Sequence, residues 1–207
     1  MKISYAIPVC NEFVEIQKLL TFLLENKRDE DEIVVLYDSN NGDKEVETYL
    51  RKMNVSKTIF KWSPYKFDGD FAAMKNRLNA WCDGDYIFQI DADEIPSKTL
   101  IESLPAILES NTVDLIRVPR VNTVEGLTES HIRKWGWRVD DENRVNWPDL
   151  QWRIYKREPR IRWHGKVHET IIGHATYAIL PLSPEYALQH PKTIERQERQ
   201  NQLYENL

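Results

Sequence analysis

Two hydrophobic periodicities alternate in strict order through the first half of the chain, and that alternation restricts the fold more than any other feature. Ile3–Val9 reads as a strand, and the next segment spaces Ile16, Leu19, Leu20, Leu23 and Leu24 as one apolar face of a helix. Ile33–Tyr37 is a continuous apolar run, the pattern of a strand buried on both faces. It stops at the turn-rich Asp38-Ser39-Asn40-Asn41-Gly42. A helix over Lys44–Met53, a strand over Thr58–Trp62, a helix over Phe71–Trp81 and a strand over Tyr86–Ile90 follow, and Pro96 opens a helix over Ser97–Glu109. Alternating elements with short connections predict an α/β fold with a mostly parallel sheet flanked by helices on both faces. Ligands of such sheets sit beyond the carboxyl ends of the strands, so Asn11, Asp38 and Asp91 should converge on one crevice.

At about 150 residues per domain, 207 residues make one α/β domain, read here as a half over 1–110 and a half over 111–207. The second half predicts a strand over Val113–Val118, an extended loop or flap over 122–146, small strands within 150–172 and a polar helix over 193–207. Composition, with 29% charged and 11% aromatic residues and seven Gly, excludes a collagenous or disordered chain. A net charge of −5 gives no support for whole-molecule attraction to nucleic acid or an anionic membrane. Cys10 and Cys82 cannot make a disulfide framework, the opening apolar run is too brief for a signal peptide, and no run approaches the roughly 20 apolar residues of a membrane span. The expected location is cytoplasmic, or peripheral at a membrane surface.

The densest chemistry lies in Tyr86-Ile87-Phe88-Gln89-Ile90-Asp91-Ala92-Asp93-Glu94. Residues two apart on a strand share a face, so Asp91 and Asp93 would present two carboxylates together, a costly arrangement unless a cation joins them. Hard oxygen ligands suit Mg²⁺ or Mn²⁺, which take few protein carboxylates and let substrate phosphates complete the shell. The alternative is that these acids cap the following helix or face water.

Around these residues the sequence resembles the inverting glycosyltransferases of family 2, which have the GT-A fold. Pro8-Val9-Cys10-Asn11-Glu12 is similar to the family's Pro-x-x-Asn-Glu, and Glu32 to Ser39 to its second strand ending in an acidic residue. Phe71-Ala72-Ala73-Met74-Lys75-Asn76 is similar to its Phe-Ala-x-x-Arg-Asn, with Lys75 in place of Arg, and Gly84 to Glu94 to its Gly-Asp-x-Ile-x-x-x-Asp-Ala-Asp-Glu. Trp152-Arg153-Ile154-Tyr155 and Gly165-Lys166-Val167-His168-Glu169 resemble elements of a subset related to lipopolysaccharide-core and peptide glycosyltransferases. The resemblance implies that residues 1–110 bind a nucleoside-diphosphate sugar and that 111–207 face the acceptor. It implies a nucleotide pocket from Pro8, Asn11, Glu12, Asp38, Lys75, Asn76 and Asp91, with Lys75 reaching a phosphate or Asp91. A Mn²⁺ or Mg²⁺ would sit on Asp91, Asp93 and His168, the histidine tilting the choice toward Mn²⁺.

Inverting transfer needs one general base on the acceptor side. Many family members carry a Glu-Asp pair for this in the second half, and none follows Glu94 here, which leaves Glu169, then Glu94, with Asp149 behind them. Five of the seven Trp, at 135, 137, 147, 152 and 163, and the cations from Arg153 to Lys166 would stack on or grip an acceptor, or else pack and blunt a strand edge. The acceptor could be a glycan, a lipid-linked saccharide, a protein or a modified nucleobase in DNA. The competing readings are a nucleotidyltransferase, against which stands the lack of a Gly-rich loop after the first strand, and a non-catalytic carbohydrate- or nucleic-acid-binding protein on the same scaffold.

Overall fold

A computed structural model describes residues 1–54 and 59–205. Strands β1 (Ile3–Val9), β2 (Glu32–Asp38), β3 (Lys61–Tyr65) and β4 (Tyr86–Gln89) alternate with helices α1 (Phe13–Asn26), α2 (Lys44–Met53) and α3 (Phe71–Asn79). The short β5 (Ile95–Pro96) and α4 (Lys98–Ser110) follow, then β6 (Leu115–Glu125), α5 (Glu129–Trp135) and β7 (Val145–Lys156). The chain ends with β8 (Arg162–His164), β9 (Thr170–Ile172), β10 (Tyr177–Ile179), β11 (Leu188–Thr193) and α6 (Ile194–Glu205). A nine-stranded sheet runs β3-β2-β1-β4-β7-β6-β11-β5, with β10 beside β6. Its first four strands are parallel neighbours, and β7 runs antiparallel to both β4 and β6.

The burial follows the periodicity. Ile3, Tyr5, Ile7 and Val9 of β1 pack with Ile16, Leu19, Leu20 and Leu23 of α1 and Leu100, Ile101 and Leu104 of α4. Ala6, with Val34 and Leu36 of β2, packs on Ala72, Met74 and Leu78 of α3 across the other face. Each fully buried Leu or Ile contributes about 1.5–3 kcal/mol, so both faces of the sheet are held. Ser97 caps α4 by accepting from the Leu100 amide.

Several boundaries differ from the sequence reading. The third strand runs later than Thr58–Trp62, and Thr58 lies outside the described residues, as do Asn206 and Leu207 of the final helix. The flap expected over 122–146 is largely ordered. β6 extends to Glu125 because it pairs with β11 through Thr193, and α5 carries a capping box between Thr128 and His131. The small strands expected within 150–172 divide, since β7 is a long member of the main sheet and only β8 and β9 form a separate hairpin. Tertiary pairing overrode a local signal diluted by charge.

Opposite the strands' carboxyl ends, Glu32 ties the sheet together. Its carboxylate accepts from the Ser4 hydroxyl at 2.6 Å and the Asp83 amide at 2.5 Å, and pairs with Lys61 at 2.8 Å and Lys2 at 3.1 Å. Burial opposes ionisation, but these donors, Lys61 foremost, hold the carboxyl down from 4.5 to about 2. A depressed folded pKa contributes stability that is complete above the unfolded value and lost as pH falls through the folded one. Urea melts should therefore show stability falling between pH 4.5 and about 2, with a shallower fall in Glu32→Gln. An unchanged slope in the variant would remove this latch from the account.

Candidate functional site

The loops after β1, β2 and β4 meet at one end of the sheet. After β2, Asp38 folds its loop: Oδ1 accepts from the amides of Asn40 (2.9 Å) and Asn41 (3.2 Å), and Oδ2 from Asn41 Nδ2 (2.9 Å). Gly42 closes this loop, because a Cβ there would lie 2.2 Å from the Asp38 carbonyl oxygen and 2.8 Å from that of Cys10. After β1, the Glu12 carboxylate accepts from the amides of Cys10 (2.9 Å) and Asn11 (3.1 Å). Both acids thus shape loops. Pro8 is a buried strand residue, and Asn11 is exposed.

β4 ends at Gln89, so Asp91 and Asp93 stand in a turn closed by the Glu94 amide on the Asp91 carbonyl at 2.9 Å. The expected shared strand face is therefore absent, and the two carboxylates take different partners. Asp91 Oδ2 pairs with Arg153 at 2.6 Å, whereas Asp93 Oδ2 meets His190 Nε2 at 3.2 Å and Arg196 at 3.3 Å. Burial opposes ionisation of Asp91, but the Arg153 guanidinium, with Lys75 and Arg120 behind it, holds its carboxyl well below the usual range. Burial likewise opposes ionisation of Asp93, and His190 with Lys192 brings it down to about 2.

Glu94 has no exposed side-chain surface and lies between two guanidinium groups, Arg153 at 2.6 Å and Arg120 at 2.9 Å. Its other oxygen accepts from the Asp91 amide at 3.1 Å. Arg120 continues to Asp149 at 2.7 Å, Asn122 joins Asp149 (2.8 Å) to His190 Nδ1 (2.6 Å), and His190 returns to Asp93. One ring of charges and amides therefore links the acids after β4 to β6, β7 and β11. Beside it lies a cavity of about 280 Å³ whose walls include Asn122, Trp137, Asn146, Asp149, His190 and Lys192.

Three expectations are corrected here. Lys75 pairs with Glu169 at 2.5 Å over the Trp163 ring, and not with Asp91, so Glu169 is a paired acid and not a free one. Asn76 spends its amide on β8, donating to the Trp163 carbonyl and accepting from its N–H, both at 2.9 Å. His168 is exposed between β8 and β9 with φ of 54°, and among the described residues no group of three or more His, Cys, Asp or Glu is placed to hold a metal. The preference for Mn²⁺ that rested on His168 loses its ground. What remains as residues that could hold a cation are Asp91 and Asp93 at the turn, since Mg²⁺ and Mn²⁺ take one or two protein carboxylates and complete their shells with phosphate oxygens.

The cations from Arg153 to Lys166 also divide. Arg153 belongs to the ring of charges, while Lys156 and Arg160 pair with Asp114 and Arg157 donates to the Gly84 carbonyl. Sequence reasoning missed Arg120, Asn122, His190 and Arg196. Arg120 sits within a strand between Pro119 and Val121, and a charged side chain so placed must find a partner when buried, which was the available signal; His190 follows Gln189 and carried none of that kind.

Comparison with known proteins agrees with this architecture. Glycosyltransferase SunS of Bacillus subtilis (strain 168), derived from the SPbeta prophage, is 27% identical over 170 residues, covering 81% of this chain and 34% of that protein. The chain thus spans about a third of the length of this curated relative. The crystal structure of S. aureus TarS 1-349 superposes with a TM-score of 0.64 at 16% identity, covering 92% of this chain and 60% of that one. The same protein in complex with UDP-GlcNAc gives 0.62 at 16% identity, covering 93% and 59%. These likenesses show a shared fold. The family model described as Glycosyl transferase family 2 matches residues 4–179, and the chain belongs to that family.

Proposed function

We propose that the chain transfers a sugar from a nucleoside-diphosphate donor to an acceptor hydroxyl with inversion, assisted by a divalent cation. The observation that carries this reading is the turn after β4, where Asp93 shares Arg196 with Glu12 of the loop after β1 and meets His190, which walls the same cavity as Asp149. A diphosphate arriving with Mg²⁺ or Mn²⁺ would be held at Asp93 and Asp91, and the cation would offset the charge that develops on the leaving diphosphate. Arg153 keeps Asp91 ionised and fixed. His190 and Lys192 keep Asp93 ionised, and His190 and Arg196 fix it. The loop folded by Asp38 would receive the nucleoside, and Asp149 is the carboxylate placed to take the proton of the attacking hydroxyl.

UDP is the first nucleotide to test, because S. aureus TarS has been solved with UDP and with UDP-GlcNAc. Calorimetry should show UDP binding tightened at least tenfold by Mn²⁺ or Mg²⁺, on the scale of one well-placed charge interaction (about 1.4 kcal/mol). Asp93→Asn should remove that tightening while the chain stays folded. Metal-independent binding in the parent chain, or full tightening in the variant, would overturn the cation assignment. Release of free sugar from a nucleotide-sugar panel without acceptor checks the reaction class.

A further inference from the structure

Asp149 opens on a cavity of about 280 Å³, a volume suited to a small ring and at the low end for ligand pockets. One wall is the indole of Trp137, which also packs on Trp135 with centroids 4.6 Å apart. The rest is rich in carboxamides: Asn122 from β6, Asn146 from β7, and Gln197 and Gln200 from α6. An amide presents a donor and an acceptor side by side, which matches a sugar hydroxyl that does both. Asn146 donates nothing through Nδ2 to any described residue, while its Oδ1 accepts from the Arg138 amide at 2.9 Å, which fixes the direction of the remaining donor. Gln197 is held by Nε2 on Asn201 at 2.9 Å, which leaves its carbonyl oxygen as the acceptor.

The charges in the walls argue against an anionic occupant. Arg120 is committed to Glu94 and Asp149, and Lys192 donates to Gln200 at 2.5 Å with its charge set against Asp93, so the positive charge of the walls already faces acids. An anion would meet the Asp149 carboxylate, and a wholly apolar ligand would leave the Asn146 donor and the Gln197 carbonyl oxygen facing it without partners.

Resting on the transferase reading above, we infer that the cavity between β6, β7 and α6 is an acceptor subsite for an uncharged pyranoside, stacked on Trp137 and bonded by Asn146 and Gln197, with a ring hydroxyl toward Asp149. On this inference the attacking hydroxyl belongs to a saccharide.

The test separates this inference from the transferase reading by using saccharide alone. Saturation-transfer NMR on the full chain, with neither nucleotide nor metal, uses the methyl pyranosides of glucose, galactose, mannose and N-acetylglucosamine, with glycerol 3-phosphate and a Ser/Thr peptide as comparators. At least one neutral pyranoside should give signal, and both comparators none. Trp137→Ala should weaken that binding about tenfold, the scale of one lost aromatic face, while Trp137→Phe stays within about threefold. Signal from a comparator alone, silence throughout, or pyranoside binding that Trp137→Ala leaves unchanged would overturn the assignment. UDP calorimetry on the same sample reports the donor site separately, so a dead donor site and a wrong acceptor class give different results.

Discussion

Arg153→Met should lower the unfolding free energy by about 3 kcal/mol or more, the cost of removing one partner from a buried ion pair. The Arg153 side chain is 3% exposed, and its guanidinium lies 2.6 Å from both Asp91 and Glu94. Met keeps most of the stem's packing but leaves Glu94, which has no exposed surface, with Arg120 as its single cation. The variant's loss should also be partly reversed by a second substitution. In Arg153→Met/Glu94→Gln the excess negative charge is gone, so the double variant should be more stable than Arg153→Met alone, a non-additivity that urea melts read directly. A loss under about 1 kcal/mol, or additive effects, would mean that the ring of charges is solvated and does not hold the turn after β4.

That ring also marks the limit of what local patterning reveals. The parallel strands β1, β2 and β4 and the helices between were legible because burial on both faces writes continuous apolar runs such as Ile33–Tyr37, and amphipathic helices write their period beside them, whereas the edge strand β3, only partly buried, begins later than its local pattern suggests. The acids after β4 were legible as a cluster because they are contiguous. Their partners were not, since Arg153, Arg120, His190 and Arg196 come from β7, β6, β11 and α6, and only strand order brings them within 3.3 Å of those acids. The reading of Asp91 and Asp93 as one strand face failed for a related reason. Period-2 geometry holds only while the ladder continues, and β4 stops at Gln89, where the chain turns toward β5. His168 entered through the resemblance of Gly165 to Glu169 to a family element, whereas the histidine that meets Asp93 lies 97 residues from Asp93.

The choice among three carboxylates for the general base turns on the same contacts, and Asp149→Asn should lower kcat by roughly 10²-fold or more while UDP affinity stays nearly intact. Glu94 is enclosed, with one oxygen shared by two guanidinium groups and the other on a backbone amide. Glu169 is spent on Lys75, 2.5 Å away, and its side chain is 14% exposed. Asp149 alone of the three lines the cavity. Burial works against its ionised form, yet Arg120 and the Asn122 and Gln151 amides hold its carboxyl below the usual range, so it is deprotonated at neutral pH but must loosen the Arg120 contact to gain proton affinity; its place in the cavity, and not its basicity, sets it apart from Glu169. Asn keeps the shape and removes the proton acceptor. Glu169→Gln should behave differently: it releases Lys75 from its partner, and the effect should fall mainly on the donor's KM, by about tenfold, with the smaller change in kcat. Should Asp149→Asn turn over at the parent rate while Glu169→Gln loses two orders of magnitude in kcat, the proton would belong to Glu169 and the Lys75 pair would have to open during the reaction.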